Sequence, residues 1–252
     1  MKKFLLLLLL PLIVTAADQP LFTISASGNA PVIDGVITDT EWSESVKLGN
    51  FMKIGDNRFA AEQTTVMIKT VKDHLYFGFR FSEYALNKNS NQYKSFKASL
   101  KGKNKPVWND DCMELRIAPP WIKDQSFFYI AFGGGGATKV IVPKGFKKDV
   151  ESQLRIAVKE YNGYWCAELA VPFGALNAKA DGDWKINLVR FEKRVPEDSS
   201  YCPLQPGEHT NLGKYAVMRF STKPKPSALF TARYPRIASG CSFPLQAFTD
   251  AG

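Results

Sequence analysis

The chain has 252 residues, of which 45% are hydrophobic and 23% are charged, and its formal net charge is +9 at pH 7. This is an ordinary globular composition. The basic balance suits an anionic surface or polymer, but no nucleic-acid fold signature accompanies it, so we predict no nucleic-acid partner.

The first 17 residues predict an export signal. Lys2 and Lys3 give a positive start, residues 4–14 form an apolar run, and residues 15–17 are small. The apolar run is shorter than the roughly 20 residues that a membrane-spanning helix needs, and no later segment approaches that length. We therefore expect an exported protein, periplasmic or extracellular, without a transmembrane segment, while the oligomeric state stays open.

Short alternating runs bounded by Gly, Pro, Asn and Asp recur through residues 18–220, almost without helical periodicity. The pattern predicts an all-β fold: an antiparallel β-sandwich of jelly-roll or immunoglobulin-like type, with short helical turns at residues 39–42 and 173–176. Residues 221–252 are predicted to form a loop-rich C-terminal extension. The predicted strands span residues 65–70, 75–81, 112–118, 126–132, 138–142, 153–158, 164–171, 184–191 and 214–220.

Much of the positive charge lies in one stretch between Glu83 and Asp110 that contains no acid. Its Asn and Ser content indicates an exposed loop, and such runs are usually solvated rather than part of a binding site. Its lysines are Lys88, Lys94, Lys97, Lys101, Lys103 and Lys105.

The segment VWNDDCMELRI, residues 107–117, places a Trp and three acids at the start of a predicted strand. Alternation directs its apolar residues toward the core and puts Glu114 and Arg116 on the opposite face. An indole beside a carboxylate suits a pyranose ring, whose C–H face would stack on Trp108 while the carboxylate accepts hydroxyl protons. The alternative is structural: Trp108 covers a sheet edge and Glu114 pairs with Arg116 or a lysine.

The acids Asp110, Asp111 and Glu114 also have to be weighed as a glycosidase acid–base pair. Such pairs normally come from separate elements about 5–9.5 Å apart, whereas adjacent residues of an extended chain point to opposite faces. No nucleophile-elbow motif is present either. We therefore predict a non-catalytic protein without glycoside hydrolase activity.

Four cysteines in an exported chain permit up to two disulfides, in three possible pairings. They contain no CxxC pair and the chain has two histidines, so a structural zinc site is not predicted. Structural calcium is an open alternative with Asp34 and Asp39 as candidate ligands, although Asp34-Gly35 also suits a simple turn. The cysteines are Cys112, Cys166, Cys202 and Cys241.

The order of motifs resembles that of the family-nine carbohydrate-binding modules and their wider DOMON-like sandwich relatives. The resemblance covers about residues 22–220 and ends with Gly213 before the closing strand KYAVMRF. The other matching segments are PVIDGVITDTEW (31–42), TTVMIKTVKDHLYFGFRFSE (64–83), VWNDDCMELRI (107–117), GYWCAELAVPFGAL (163–176) and GDWKINLVRFEKR (182–194).

The resemblance implies a sandwich that binds an oligo- or polysaccharide without chemistry, often with structural calcium and with no organic cofactor. Trp108 matches an aromatic residue that stacks on the sugar, Glu114 a residue that hydrogen-bonds its hydroxyls, and Asp111 the acid three positions after the Trp.

Two departures from the family pattern bear on the site. The second stacking Trp should lie in the loop before the last strand, YCPLQPGEHTNLG, where this chain has Tyr201 and His209. The family's Arg before the glycine turn is replaced around Tyr129, and Arg190 either reaches the binding face or balances Glu168 internally. The predicted carbohydrate-binding residues are Trp108, Asp111, Glu114, Tyr129, Arg190 and Tyr201.

Two other functions stay open. One is a structural or partner-binding sandwich with a decayed sugar site, and Trp121 would then cover a sheet edge rather than serve as a further aromatic plate. The other is a haem-binding redox module of the same superfamily, which needs axial His or Met ligands. The candidate haem ligands are His74, His209, Met52, Met67, Met113 and Met218.

Overall fold

The computed structural model describes residues 19–56, 58–83, 97–193 and 197–221, all within the unit Gln19–Ala232. This part of the chain contains thirteen strands and one α-helical turn, α1 (Asp39–Trp42). The strands are β1 (Leu21–Ser25), β2 (Val46–Leu48), β3 (Met52–Lys53), β4 (Thr64–Val71), β5 (His74–Ser82), β6 (Cys112–Ala118), β7 (Phe128–Gly133), β8 (Thr138–Ile141), β9 (Arg155–Tyr161), β10 (Tyr164–Pro172), β11 (Asp183–Phe191), β12 (Ser199–Ser200) and β13 (Ala216–Ser221). Short 3-10 turns occur at Val107–Asn109, Glu151–Gln153, Phe173–Leu176, Glu208–Thr210 and Leu212–Lys214.

The strands form two sheets. The eight-stranded sheet has the order β1-β13-β11-β6-β7-β8, with β12 paired to β11 and β3 paired to β12, and the five-stranded sheet has the order β2-β4-β5-β10-β9. Among the described strands, β1 and β13 pair in parallel and the others pair antiparallel. The prediction of an all-β sandwich is confirmed.

The core lies between the sheets because alternate residues of their strands are large and apolar. From β5, Phe77, Phe79 and Phe81 are fully buried, and their rings stack in sequence at centroid distances of 6.0 and 5.7 Å. Trp165 of β10 stacks on Phe81 at 3.7 Å. Burying side chains of this size stabilises a fold by about 1.5–3 kcal/mol each. The opposite wall comes from the apolar face of β6, Met113, Leu115 and Ile117.

The outer face of the five-stranded sheet is also covered. Glu168 of β10 is buried there, and its carboxylate accepts hydrogen bonds from the backbone N–H groups of Asp34 and Gly35, both at 2.9 Å, and from the indole N–H of Trp42 at 3.0 Å. Thr38 caps α1 by accepting from the backbone N–H of Glu41. Residues 31–45 are thereby fastened across this face.

The helical turns predicted at residues 39–42 and 173–176 are confirmed. Four short strands, β1, β2, β3 and β12, were not predicted, and they have between two and five residues. Segments of this length carry too few alternations to be recognised as strands.

The described cysteines are all buried and unpaired, which corrects the expectation of disulfides among them. Cys112 faces outward from the eight-stranded sheet, Cys166 faces outward from the five-stranded sheet, and Cys202 lies in the core between them. Because these positions lie on three different levels of the sandwich, no pair is brought together. Cys241 lies outside the described residues.

Within the described residues, no helix is long and apolar enough to cross a membrane. The predicted export signal at residues 1–17 lies outside the described part of the chain. So does the predicted C-terminal extension after Ser221, the last residue of β13.

Candidate functional site

The candidate site lies on the outer face of the eight-stranded sheet, around the second half of VWNDDCMELRI. Glu114 and Arg116 alternate with the core residues of β6 and therefore point away from the core, as predicted. Arg116 stands directly opposite Tyr129 of β7 in the sheet register. Tyr129 is half-buried, so it reaches from this polar group toward the surface.

Glu114, Arg116 and Tyr129 form one hydrogen-bonded group. The Glu114 carboxylate accepts from Arg116 Nη2 through Oε2 and from the Tyr129 hydroxyl through Oε1, both at 2.5 Å. Arg116 also donates through Nη1 to the backbone carbonyl of His209, at 2.6 Å, and the Tyr215 hydroxyl donates to the same carbonyl at 2.5 Å. The group thus joins β6 and β7 to the loop before the last strand.

The electrostatics of this group follow from its burial. Burial raises the pKa of Glu114, while the charge of Arg116 and the hydrogen bond from Tyr129 act in the opposite direction. Burial and the neighbouring Glu114 carboxylate raise the pKa of Tyr129 far above its usual value, so the hydroxyl remains a donor. Burial, followed by the charge of Arg116, lowers the pKa of His209, which favours a neutral imidazole at pH 7.

This geometry corrects the expectation that Glu114 stands open to accept sugar hydroxyls. The residue is 4% exposed, and each of its carboxylate oxygens already accepts a hydrogen bond from the protein. The structural alternative, a pair between Glu114 and Arg116, is the one found. Glu114 therefore fixes the positions of Arg116 and Tyr129.

Trp108 lies in the 3-10 turn Val107–Asn109 and is 43% exposed. Its neighbour Val107 is fully buried and packs with Cys112 and two alanines of the outer sheet face. The turn is thus anchored by Val107 while the adjacent indole is left at the surface.

Asp111 does not face a ligand, which corrects its prediction as a sugar-binding residue. Its carboxylate is 2% exposed and accepts the backbone N–H groups of Lys97, at 2.5 Å, and Lys193, at 2.7 Å. Asp110 accepts the hydroxyl of Ser99 and the backbone N–H of Leu100. A buried carboxylate is costly unless it is hydrogen-bonded, and here both acids hold the loop that leads to Trp108.

Arg190 is also corrected, because it is buried away from this face. It is 1% exposed and forms ion pairs with Glu83, at 3.0 Å, and Glu192, at 2.9 Å. It also donates to the backbone carbonyl of Ser82 at 2.8 Å. Its predicted internal partner, Glu168, is bonded instead to the segment that covers the other sheet.

Tyr201 is a core residue, which corrects its prediction as a substitute for the second stacking Trp. It is 2% exposed, and its ring centroid lies 6.2 Å from that of Phe22 and 6.2 Å from that of Phe51. Trp121 stacks on Phe146 at 6.0 Å, and its indole N–H donates to a backbone carbonyl, so it covers an edge of the core.

In the loop before the last strand, His209 is the residue that contacts the candidate site. Its carbonyl binds Arg116, and its Nδ1 is buried without a hydrogen-bond partner among the described residues, as is Nε of Arg116. Buried donors and acceptors of this kind are normally met by ordered water or another polar group. Its position between Gly207 and the last strand gave no local pattern from which this contact could be predicted.

The candidate calcium ligands lie in a turn and at the start of a helix, and structural calcium stays a prediction. Asp34 accepts the backbone N–H of Val36 at 2.8 Å in a turn that includes Gly35, and Asp39 begins α1. Calcium takes six to eight oxygen ligands. In the described part of the chain, no group of three or more acidic, His or Cys side chains is arranged to hold a metal.

The candidate haem ligands are also separated. His74 stacks on Tyr76, whose side chain faces outward from the five-stranded sheet, whereas His209 lies against the outer face of the other sheet. Met113 and Met218 are fully buried in the core. His74, His209, Met113 and Met218 therefore do not pair with one another as axial ligands, whereas Met67 packs in the same cluster as Tyr76.

The sequence matches no protein-family model and no curated protein. Solved structures are similar in fold. A protein from Bacteroides uniformis proposed to bind carbohydrate is 13% identical, with a TM-score of 0.63, and the match covers 81% of this chain and all of that one.

A family-nine carbohydrate-binding module from Caldicellulosiruptor kristjanssonii, solved with glucose and with cellotriose, is 10% identical, with a TM-score of 0.57 in both structures. The matches cover 80% and 84% of this chain and 97% and 98% of the module. The chain therefore shares the fold of the family-nine carbohydrate-binding modules.

Proposed function

We propose that this is an exported, non-catalytic carbohydrate-binding protein that stacks a sugar ring on Trp108. The observation that carries the proposal is the exposure of Trp108. This residue is 43% exposed, whereas the nearby Val107, Asp110 and Asp111 are each no more than 2% exposed. A large aromatic side chain held at the surface by buried neighbours loses little conformational entropy on binding. The shared fold with modules solved in complex with glucose and cellotriose supports the same function.

We assign the second half of the proposed site to the polar group of the outer face, which begins on β6 six residues after Trp108. A pyranose needs an apolar plate for its C–H face and hydrogen-bonding groups for its hydroxyls. Tyr129 and His209 are only partly buried and therefore offer such groups, while Glu114 and Arg116 hold them in place. In this proposal Glu114 acts by positioning its neighbours.

The experiment compares Trp108→Ala with Trp121→Ala in binding to a panel of neutral and acidic oligosaccharides. The two indoles have nearly equal exposure, 43% and 41%, but only Trp121 stacks on the edge of the core. Trp108→Ala should weaken binding by about 1–3 kcal/mol and leave the free energy of unfolding nearly unchanged. Trp121→Ala should lower stability and keep the affinity of the folded protein. Equal affinity for wild type and Trp108→Ala would reject the proposal.

A further inference from the structure

Trp108 stands at the end of a lysine-rich loop, of which the structure describes residues 97–107. Four lysines of residues 97–105 have exposed side chains. The loop closes on itself because the backbone N–H of Asp111 donates to the carbonyl of Lys97 at 2.9 Å, while the Asp111 carboxylate accepts the N–H of Lys97. These four residues are Lys97, Lys101, Lys103 and Lys105.

The loop closure brings a lysine toward Trp108 from each side along the chain. Lys105 precedes Trp108 by three residues, and Lys97 is bonded to Asp111, which follows Trp108 by three residues. Three residues of extended chain span at most about 11 Å, so the Lys105 backbone lies within that distance of the Trp108 backbone. For Lys97 the limit is longer by the hydrogen-bonded pair with Asp111, about 5.5 Å. Lysine side chains are long enough to cover much of such a distance.

The loop is also fastened to β8, which adds a fifth lysine. The backbone N–H of Lys105 donates to the carbonyl of Thr138 and the N–H of Thr138 donates to the carbonyl of Gly102, both at 2.9 Å. The ammonium group of Lys139, the next residue, donates to the side chain of Asn104. We call the five residues Lys97, Lys101, Lys103, Lys105 and Lys139 the lysine rim.

In the described part of the chain, the acids close to the rim bind backbone and hydroxyl groups rather than its ammonium groups. Asp110 and Asp111 accept hydrogen bonds from the loop itself, and Glu151 accepts the backbone N–H of Asn104 and the hydroxyl of Thr138. Among the described residues, no ion pair joins a lysine of the rim to an acid. The five lysines outnumber the three acids Asp110, Asp111 and Glu151, which leaves an excess of positive charge beside an exposed aromatic ring.

We infer that the saccharide bound at Trp108 is anionic, a polysaccharide whose sugars carry carboxylate or sulfate groups. This rests on the proposed function and adds the chemical class of the ligand. One ring stacks on the indole, and the acidic groups of that ring and its neighbours lie among the lysines of the rim. Charge attraction of this kind raises both the rate of association and the discrimination against neutral chains.

The first test measures binding to acidic glycans, each beside its own neutral form, by calorimetry. The uronate arm uses oligogalacturonate and oligoalginate with their methyl esters, and the sulfate arm uses sulfated galactans with their desulfated forms. We expect at least one acidic glycan to bind about tenfold more tightly than its neutral form, with affinity that falls as salt is raised from about 0.05 M to about 0.5 M. The arm that binds identifies the anionic group.

The second test separates the rim from the overall charge of the protein. The double variant Lys103→Gln/Lys105→Gln removes two charges close to Trp108 in the chain. The control Lys72→Gln/Lys159→Gln removes two exposed lysines at the five-stranded sheet, one in the turn between β4 and β5 and one in β9. The rim variant should lose roughly tenfold in affinity for the acidic glycan and the control variant less than about twofold. Trp108→Ala should weaken binding of the same glycan.

The outcomes distinguish the two proposals. If neutral glycans bind at Trp108 as tightly as acidic ones, the anionic ligand is wrong and the proposed function stands. If acidic polymers bind equally well to Trp108→Ala, or if duplex DNA and anionic vesicles compete equally, the attraction is nonspecific and the inference fails. If no glycan of either kind binds, the proposed function fails and the inference fails with it.

Discussion

The guanidinium of Arg116 lies 2.5 Å from the carboxylate of Glu114 on the outer face of the eight-stranded sheet, where the two side chains are 9% and 5% exposed. Each member of the pair also binds a residue of a different element, since Glu114 accepts from Tyr129 and Arg116 donates to His209. The pair therefore determines how the loop before the last strand lies against the sheet.

Removing the cation alone should be strongly destabilising. In Arg116→Met the Glu114 carboxylate would stay buried without its partner, so we expect the free energy of unfolding to fall by about 3–5 kcal/mol. Urea unfolding followed by tryptophan fluorescence measures the loss. The double variant Glu114→Gln/Arg116→Met should recover part of it, because no buried charge remains. A double variant less stable than the single one would show that the two charges are not coupled.

Glu168 should make stability depend on pH in a defined direction. Burial raises its pKa above the usual 4.5, against hydrogen bonds from Asp34, Trp42 and Gly35 that lower it. A carboxyl group with a raised pKa binds its proton more readily in the folded state, so the cost of the ionised form is present above the folded pKa and disappears as pH falls toward 4.5.

Unfolding free energies of wild type and Glu168→Gln between about pH 4 and pH 7 measure this effect, because glutamine does not titrate. The stability of wild type minus that of the variant should rise as the pH falls through this window. Glu114 is present in both proteins, and its contribution cancels in the difference. A difference that stays flat or falls would mean that burial does not dominate the environment of Glu168.

The local pattern of β6 predicted which side chains face the core, because alternation depends only on neighbouring residues. It placed Glu114 and Arg116 on the outer face. It could not predict that Glu114 would be covered, because the covering contact comes from His209, 93 residues after Arg116 along the chain. Exposure at this position is decided by a loop, and the strand pattern carries no information about it.

Arg190 and Tyr201 were also predicted at the site and are buried instead. Alternation along β11 puts Arg190 on the same side as Ile186 and Leu188, which is the core side, although Arg190 was among the predicted carbohydrate-binding residues. Tyr201 follows the two-residue strand Ser199–Ser200, whose pairing with β11 turns the tyrosine into the core. A strand of two residues has no periodicity from which this could be predicted.

Any side chain at Gly35 should destabilise the folded protein. Its φ is +82°, and an added Cβ would lie 3.0 Å from the Cβ and 3.1 Å from the backbone N of Lys159. We expect Gly35→Ala to lower the free energy of unfolding by about 1–3 kcal/mol. Gly136→Ala is the matched control, since Gly136 has a φ of +84° with no atom within 4 Å of an added Cβ. Equal losses in the two variants would mean that the contact with Lys159 adds nothing to the backbone strain.

The buried thiols should be unreactive in the folded protein. Burial raises the pKa of Cys166 to about 11 and that of Cys202 to about 12, and it holds the pKa of Cys112 well above its usual value. The thiolate is the reactive form, so both low access and a raised pKa slow modification. In a Cys241→Ser variant, Ellman's reagent at pH 8 should release almost no colour from the native protein.

The same variant in urea without reductant should show three reactive thiols, one for each of the described cysteines. A count of one would reveal a disulfide between two of them and would contradict the arrangement on three levels of the sandwich. Fast reaction of the native protein would instead show that at least one thiol is accessible. Addition of a reductant should leave the melting temperature of this variant unchanged, because a protein without disulfides offers nothing to reduce.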